Sequence, residues 1–270
     1  MEILDKIHAG DVRAVARAIS MVENGDAEAE RILSGINAHT GRALVLGLTG
    51  PPGSGKSALA DRLILCERRR NRKVAVIAVD PSSPFSGGAL LGDRLRMQEH
   101  ATDPDVFIRS MASRGHLGGI ARSTGDTVRV LDAAGYDTII IETVGVGQAE
   151  VEIATLSDIV LLVLVPGTGD DIQMMKAGIM EIGDIFVINK MDLAGADRLK
   201  TEVEYVLNLG YRDKTREKRP VVMVSALADE GVAELHETVH ATFERMAETG
   251  LLVERRKRRH EQEQRGETPW

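Results

Sequence analysis

The sequence predicts an α/β fold: a mostly parallel, doubly wound sheet with an N-terminal helical appendage and a short C-terminal helical tail. Three observations lead there. Seven short apolar runs alternate with helical stretches, and most are continuous, as expected of strands buried on both faces of a parallel sheet. A glycine-rich turn, GPPGSGKS at 50–57, joins the first run to a segment that reads as a helix. The other motifs with chemical content also fall at or beyond the ends of runs, where doubly wound sheets hold ligands.

Taken in order, residues 2–24 carry Ile3, Leu4, Ile7, Val15 and Ile19 mostly on one helical face. The break at Asn24-Gly25-Asp26 ends that helix, and 27–38 reads as a second, shorter one. The strand-like runs are ALVLGL at 43–48, VAVIAV at 74–79, VFIRS at 106–110 and TIIIE at 138–142. IVLLVLV at 159–165, IFVIN at 185–189 and VVMVS at 221–225 complete the set. The expected division is an appendage at 1–40, the α/β domain at 41–250 and a basic, then polar tail at 251–270.

Composition narrows the class. With 270 residues, 43% of them apolar, the chain can bury a sizeable core. No run approaches the length of a spanning helix, and the N-terminus lacks the basic-then-apolar order of a signal peptide. A single cysteine, Cys66, fits a reducing cytosol and is expected to be a buried structural thiol. A cytoplasmic location with no membrane partner is therefore expected. The net charge of −7 and 3% aromatics argue against a nucleic-acid binder. The local exception is RRKRR at 255–259, read as a solvated helix end or, alternatively, a docking patch for an acidic partner.

The turn at 50–57 fits G-x-x-x-x-G-K-[ST] with a strand before it and a helix after. Its positions Gly50, Pro51, Pro52, Gly53, Ser54, Gly55, Lys56, Ser57 and the following Ala58 are candidate phosphate contacts. Backbone N–H groups can curl around phosphate oxygens at the positive end of the helix. Lys56 is expected on the β- and γ-phosphates and the Ser57 hydroxyl on Mg²⁺. The fold is thus expected to be a P-loop NTPase G-domain. Asn189-Lys190-Met191-Asp192 matches the N-K-x-D pattern that reads guanine. A carboxylate at Asp192 accepts the two donors on one edge of guanine, and adenine offers neither in that geometry. Ser225, Ala226 and Leu227, after the last strand, suit a backbone contact to the guanine carbonyl. GTP is the expected nucleotide.

Asp80, Asp93 and Glu142 stand at strand ends or just beyond. With Ser57 they are candidates for Mg²⁺ coordination, and Lys56, Asp93 and Glu142 are the candidate catalytic residues. The histidines are assigned loop or surface roles, with no metal cluster of protein side chains expected. His116 in SRGHLGG has no local partner that gives it a task.

Four longer segments carry a resemblance: VDPSSPFSGGALLGDRLRM, SRGHLGG, ETVGVGQAEVE and PGTGDDIQMMKAG. With them, the chain resembles the MeaB/ArgK/MMAA family of GTPase chaperones for adenosylcobalamin-dependent acyl-CoA mutases, from its N-terminal helices to about Arg259. The resemblance implies a GTP-hydrolysing metallochaperone that gates cofactor loading and protects a mutase of the methylmalonyl-CoA or isobutyryl-CoA type. An adenosyltransferase is a further implied partner. It also implies that Ser57, Asp80, Asp93 and Glu142 serve Mg²⁺ and the catalytic switch. Residues 86–94 correspond to a first switch, and 142–150, with Gly145 and Gln148, to a second. The stretch 166–176, with Asp170, Asp171 and Lys176, corresponds to a switch that couples to the mutase.

Ala58 and Leu227 depart from the family's usual threonine and basic residue. Family members continue into a C-terminal helical arm used for dimerisation, whereas this sequence stops soon after RRKRRH, which sets the implied homodimer in question. The Asp-x-His-x-x-Gly pattern of B12 binding is absent at His8 and His116, so adenosylcobalamin is expected on the partner. The alternatives are a transport-associated ATPase or kinase, which the NKMD motif opposes, and a nickel-insertion GTPase.

Overall fold

The computed structural model describes residues 2–80, 100, 102–112, 119–143, 149–167, 179–210 and 219–265. All seven expected strands form: β1 (Leu44–Thr49), β2 (Val74–Asp80), β3 (Val106–Ala112), β4 (Thr138–Thr143), β5 (Ile159–Leu164), β6 (Ile185–Ile188) and β7 (Val221–Met223). They make one sheet in the order β3-β2-β4-β1-β5-β6-β7, with every pairing parallel. Successive side chains of a strand face opposite ways, and this splits the continuous runs between two cores. In β5, Ile159, Leu161 and Val163 join the core with α4 (Lys56–Arg69), while Leu162 and Leu164 pack towards α7 (Ala196–Gly210). Val45, Ile77, Ile139 and Ile141 face a third cluster built with α5 (Gly119–Ala133) and the N-terminal helices. Cys66 is buried on α4, and burial pushes its thiol pKa up.

The first helix of the sequence reading is in fact two, α1 (Ile3–His8) and α2 (Val12–Asn24). Gly10 turns with φ +71°, and Asp11 caps α2 by accepting from the Ala14 N–H at 2.8 Å. Helix α2 buries Val15, Ala18, Ile19 and Val22, a 3–4–7 stripe, and ends at Gly25 in the left-handed conformation. Helix α3 (Ala27–Ile36) follows, and a short 3₁₀ turn closes the segment at Asn37–His39.

The last two helices are α8 (Val232–Glu248) and α9 (Leu251–Arg265), with α6 (Ala149–Leu156) between β4 and β5. Helix α9 corrects the reading of the basic run. Three of its five cations bind acidic groups elsewhere in this same chain, while Lys257 and Arg258 pair with Glu261 and Glu254 within the helix. Arg255 forks onto Asp184 at 2.7 and 2.8 Å. Arg256 reaches Asp158 at 2.5 and 3.0 Å, and Arg259 reaches it at 3.1 Å. Asp158 is fully buried and also accepts the Val45 N–H at 3.0 Å. Burial would lower the pKa values of Arg255 and Arg256, but their carboxylate partners outweigh it and raise both. Asp158 and Asp184 precede β5 and β6, so α9 is clamped to the amino edge of the sheet, opposite the ligand edge. Asp158→Ala would remove the carboxylate that two arginines and a strand N–H share. The expected loss is roughly 3–5 kcal/mol of stability, the usual cost of breaking a buried pair. Urea unfolding measures it, and a loss under about 1 kcal/mol would mean the clamp is ornamental.

No helix among the described residues is long and apolar enough to cross a membrane.

Candidate nucleotide site

The loop between β1 and α4 is shaped by what touches it. At Gly50, φ is +142° and a Cβ would come within 2.1 Å of the Val163 carbonyl oxygen in β5. At Gly55, which precedes α4, φ is +86° and a Cβ would meet Asn189 Nδ2 at 2.4 Å. Side chains there would push the loop off both neighbours. The result is a turn whose following N–H groups open α4, the positive end of a helix dipole and a ready anion site.

Two residues of the NKMD segment hold this loop from the other side. Asn189 donates from Nδ2 to the Ser54 carbonyl at 2.8 Å, and Lys190 Nζ donates to the Gly53 carbonyl at 3.0 Å. Asn189 Oδ1 accepts from the N–H groups of Lys190 at 2.8 Å and Ala226 at 3.1 Å. One buried side chain thus ties the phosphate loop, the segment after β6 and the segment after β7 together. Asp192 accepts from the Ser225 hydroxyl at 2.8 Å, and the Met191 N–H donates to the Val224 carbonyl at 3.0 Å. Arg62 on α4 donates to the Ala226 carbonyl at 3.2 Å, and Leu227 is exposed. Sequence reasoning missed Arg62, since nothing near it in the chain marks the contact. Asp192 itself is exposed, not buried as a base reader in a closed pocket would be.

On the phosphate side, Lys56 is buried and its ammonium donates to the carbonyls of Gly50 at 2.9 Å and Pro51 at 3.0 Å. Two neutral acceptors hold it over the loop, and an anion there offers it stronger ones. The Ser57 hydroxyl donates to Glu142 Oε1 at 2.6 Å, and both residues are buried. Glu142 stands in β4 opposite Leu48 of β1 and Ala78 of β2, near the carboxyl ends of all three strands. Asp80 ends β2 at the same sheet edge by its backbone position. Asp93, Gly145, Gln148, Asp170, Asp171, Lys176 and His116 lie outside the described residues. Pro52 in the loop and Ala58 in the first turn of α4 are exposed.

The histidine reading needs a correction. His236 and His240 sit four apart on α8, on one face, and both point at the buried Glu67 of α4. The spacing was legible in HETVH at 236–240, but Glu67 was not.

A parallel sheet with a G-x-x-x-x-G-K-S loop after β1 and an N-K-x-D segment after β6 has the build of a P-loop GTPase. The chain belongs to the MeaB family, methylmalonyl Co-A mutase-associated GTPases, whose family model matches residues 15–268. A Pyrococcus abyssi relative provisionally named a GTPase is 52% identical over 265 residues, covering 97% of this chain and 82% of its own. The GTPase ArgK of Escherichia coli is 39% identical over 245 residues, covering 87% of this chain and 73% of its own. Among solved structures, one described as an LAO/AO transport system kinase superposes with a TM-score of 0.79 at 28% identity. That match covers 97% of this chain and 81% of the other. The chain is thus a guanine-nucleotide-binding GTPase related to mutase-associated chaperones.

Proposed function

We propose that this GTPase gates cofactor loading and protection of an adenosylcobalamin-dependent acyl-CoA mutase, of the methylmalonyl-CoA or isobutyryl-CoA type. The family match over residues 15–268 carries the reading, because it spans nearly the whole chain rather than the phosphate loop alone. In this reading Lys56 binds the β- and γ-phosphates and Asp192 reads the base. The adenosylcobalamin stays with the partner.

The donor set suits Mg²⁺. A hydroxyl and a carboxylate, Ser57 and Glu142, meet at the head of the phosphate loop, and hard oxygen ligands are what that ion takes. Asp80 and Asp93 are proposed to complete the set directly or through water. When bound, Mg²⁺ neutralises charge on the phosphates. Glu142 is also positioned, by its bond with Ser57, to report on the phosphate loop to the segment that follows β4.

The sequence that ends β4 and runs on from it reads ETVGVGQ, with Val146 where many small GTPases carry a water-orienting glutamine. Hydrolysis by the isolated chain is therefore expected to be slow. The experiment is GTP turnover with and without purified mutases of the two types. The expected result is stimulation of at least about severalfold, with Asp170→Ala and Lys176→Ala blunting it while GTP affinity stays near the parent's. If the mutases leave turnover unchanged, the chaperone reading fails. If both variants respond like the parent, the coupling runs through another surface.

A further inference from the structure

Far from the phosphate loop, the other end of α4 holds a cluster with no part in nucleotide chemistry. Glu67, His236 and His240 are each more than nine-tenths buried, and their ligand atoms lie within 4.8 Å of one another. His240 Nε2 lies 2.8 Å from Glu67 Oε1, and His236 Nε2 lies 3.2 Å from the same oxygen without completing a hydrogen bond. Glu67 Oε2 likewise makes no hydrogen bond. Leaving one such buried polar atom unsatisfied costs about 1–3 kcal/mol, and here two of them belong to the same small cluster.

We infer that Glu67, His236 and His240 form a binding site for a divalent transition cation, with zinc as the best-fitting ion. Two imidazole nitrogens four apart on one helix, plus a carboxylate from another, are a ligand set for such an ion. A tetrahedral zinc with bonds of about 2.0–2.1 Å keeps its ligand atoms roughly 3.3 Å apart. The observed 2.8 and 3.2 Å need to open only slightly. Imidazole ligands favour zinc, cobalt or nickel over magnesium, which separates this site chemically from the nucleotide's. It is separate in space too, since Glu67 stands ten residues along α4 from Ser57, about 15 Å at the helical rise.

The surroundings limit what the cation does. Glu237, inside the HETVH run, is exposed and pairs with Arg70 at the surface, so no carboxylate of that run is aimed as a general base. The proposed ion is therefore a clasp between α8 and α4, not a hydrolytic centre. Arg72 opposes it: Nη1 is 3.3 Å from His240 Nδ1 and 3.8 Å from Glu67 Oε2. A metal-bound His240 carries its proton on Nδ1 and cannot accept from Arg72. The Arg72 side chain is 41% exposed, so it can turn into solvent.

The test is equilibrium dialysis of chelator-stripped full chain against zinc chloride with excess Mg²⁺, read by metal analysis and by thermal unfolding. One zinc per chain and a raised Tm are expected. His236→Gln and Glu67→Gln should weaken binding at least about tenfold, the loss of one good ligand. His8→Ala with His39→Ala, which removes a second pair of adjacent histidine rings elsewhere among the described residues, should not change it. Cobalt should give the visible absorption of a tetrahedral site in the parent and lose it in His236→Gln. Absence of stoichiometric zinc on the parent protein overturns the proposal, whatever the variants do. So does binding that survives in His236→Gln but disappears with the His8 and His39 pair.

Discussion

Lys56→Ala is expected to abolish GTP turnover. Phosphoryl transfer leaves the protein little to do beyond placing charge, and removing one such group commonly costs roughly 10²–10³ in rate. Lys56 is the buried cation of the phosphate loop, held there by the carbonyls of Gly50 and Pro51. Alanine removes that charge and releases both carbonyls, so the loop also loses a brace on its own backbone. Single-turnover hydrolysis, with protein in excess of nucleotide and well above the variant's dissociation constant, separates the two effects. If the saturated rate stays near the parent's, the phosphate loop is not the catalytic cradle.

Asp192→Asn should reverse the choice of base. The carboxylate only accepts, whereas the amide also donates, so guanine's paired donors meet a donor and xanthine's oxygen meets its complement. Sites that reject a ligand through such mismatches do so by roughly 10⁴ or more. The Ser225 hydroxyl, now 2.8 Å from Asp192, can still donate to the asparagine oxygen, so the segment should keep its shape. Competition binding of GTP and XTP measures the change. Unchanged GTP affinity would remove the segment at 189–192 from base reading.

Most of the sheet could be read from the chain because burial on both faces leaves a local mark. IVLLVLV at 159–165 has no polar face to hide, and the structure divides it between two cores. The phosphate loop and NKMD were legible because each packs its chemistry into a few consecutive residues. What joins them was not: Asn189 bonds to Ser54 across 135 positions. The α9 clamp was missed for the same reason. Arginines 255, 256 and 259 look like a solvated face until Asp158 and Asp184 arrive from about 70–100 residues upstream. In the N-terminal segment, apolar periodicity ran across a break that Gly10 and the Asp11 cap impose. The histidine pair on α8 was visible in spacing, but its carboxylate partner lies 173 positions from His240.

The most direct test of the account is a calorimetric titration of the parent protein with GTP and, separately, ATP in the presence of Mg²⁺. An Asn189–Asp192 segment joined to the phosphate loop predicts GTP binding tighter than ATP by roughly 10³-fold or more. Equal affinity for the two, or a preference for ATP, would contradict it and favour the transport-associated ATPase that the NKMD motif opposes.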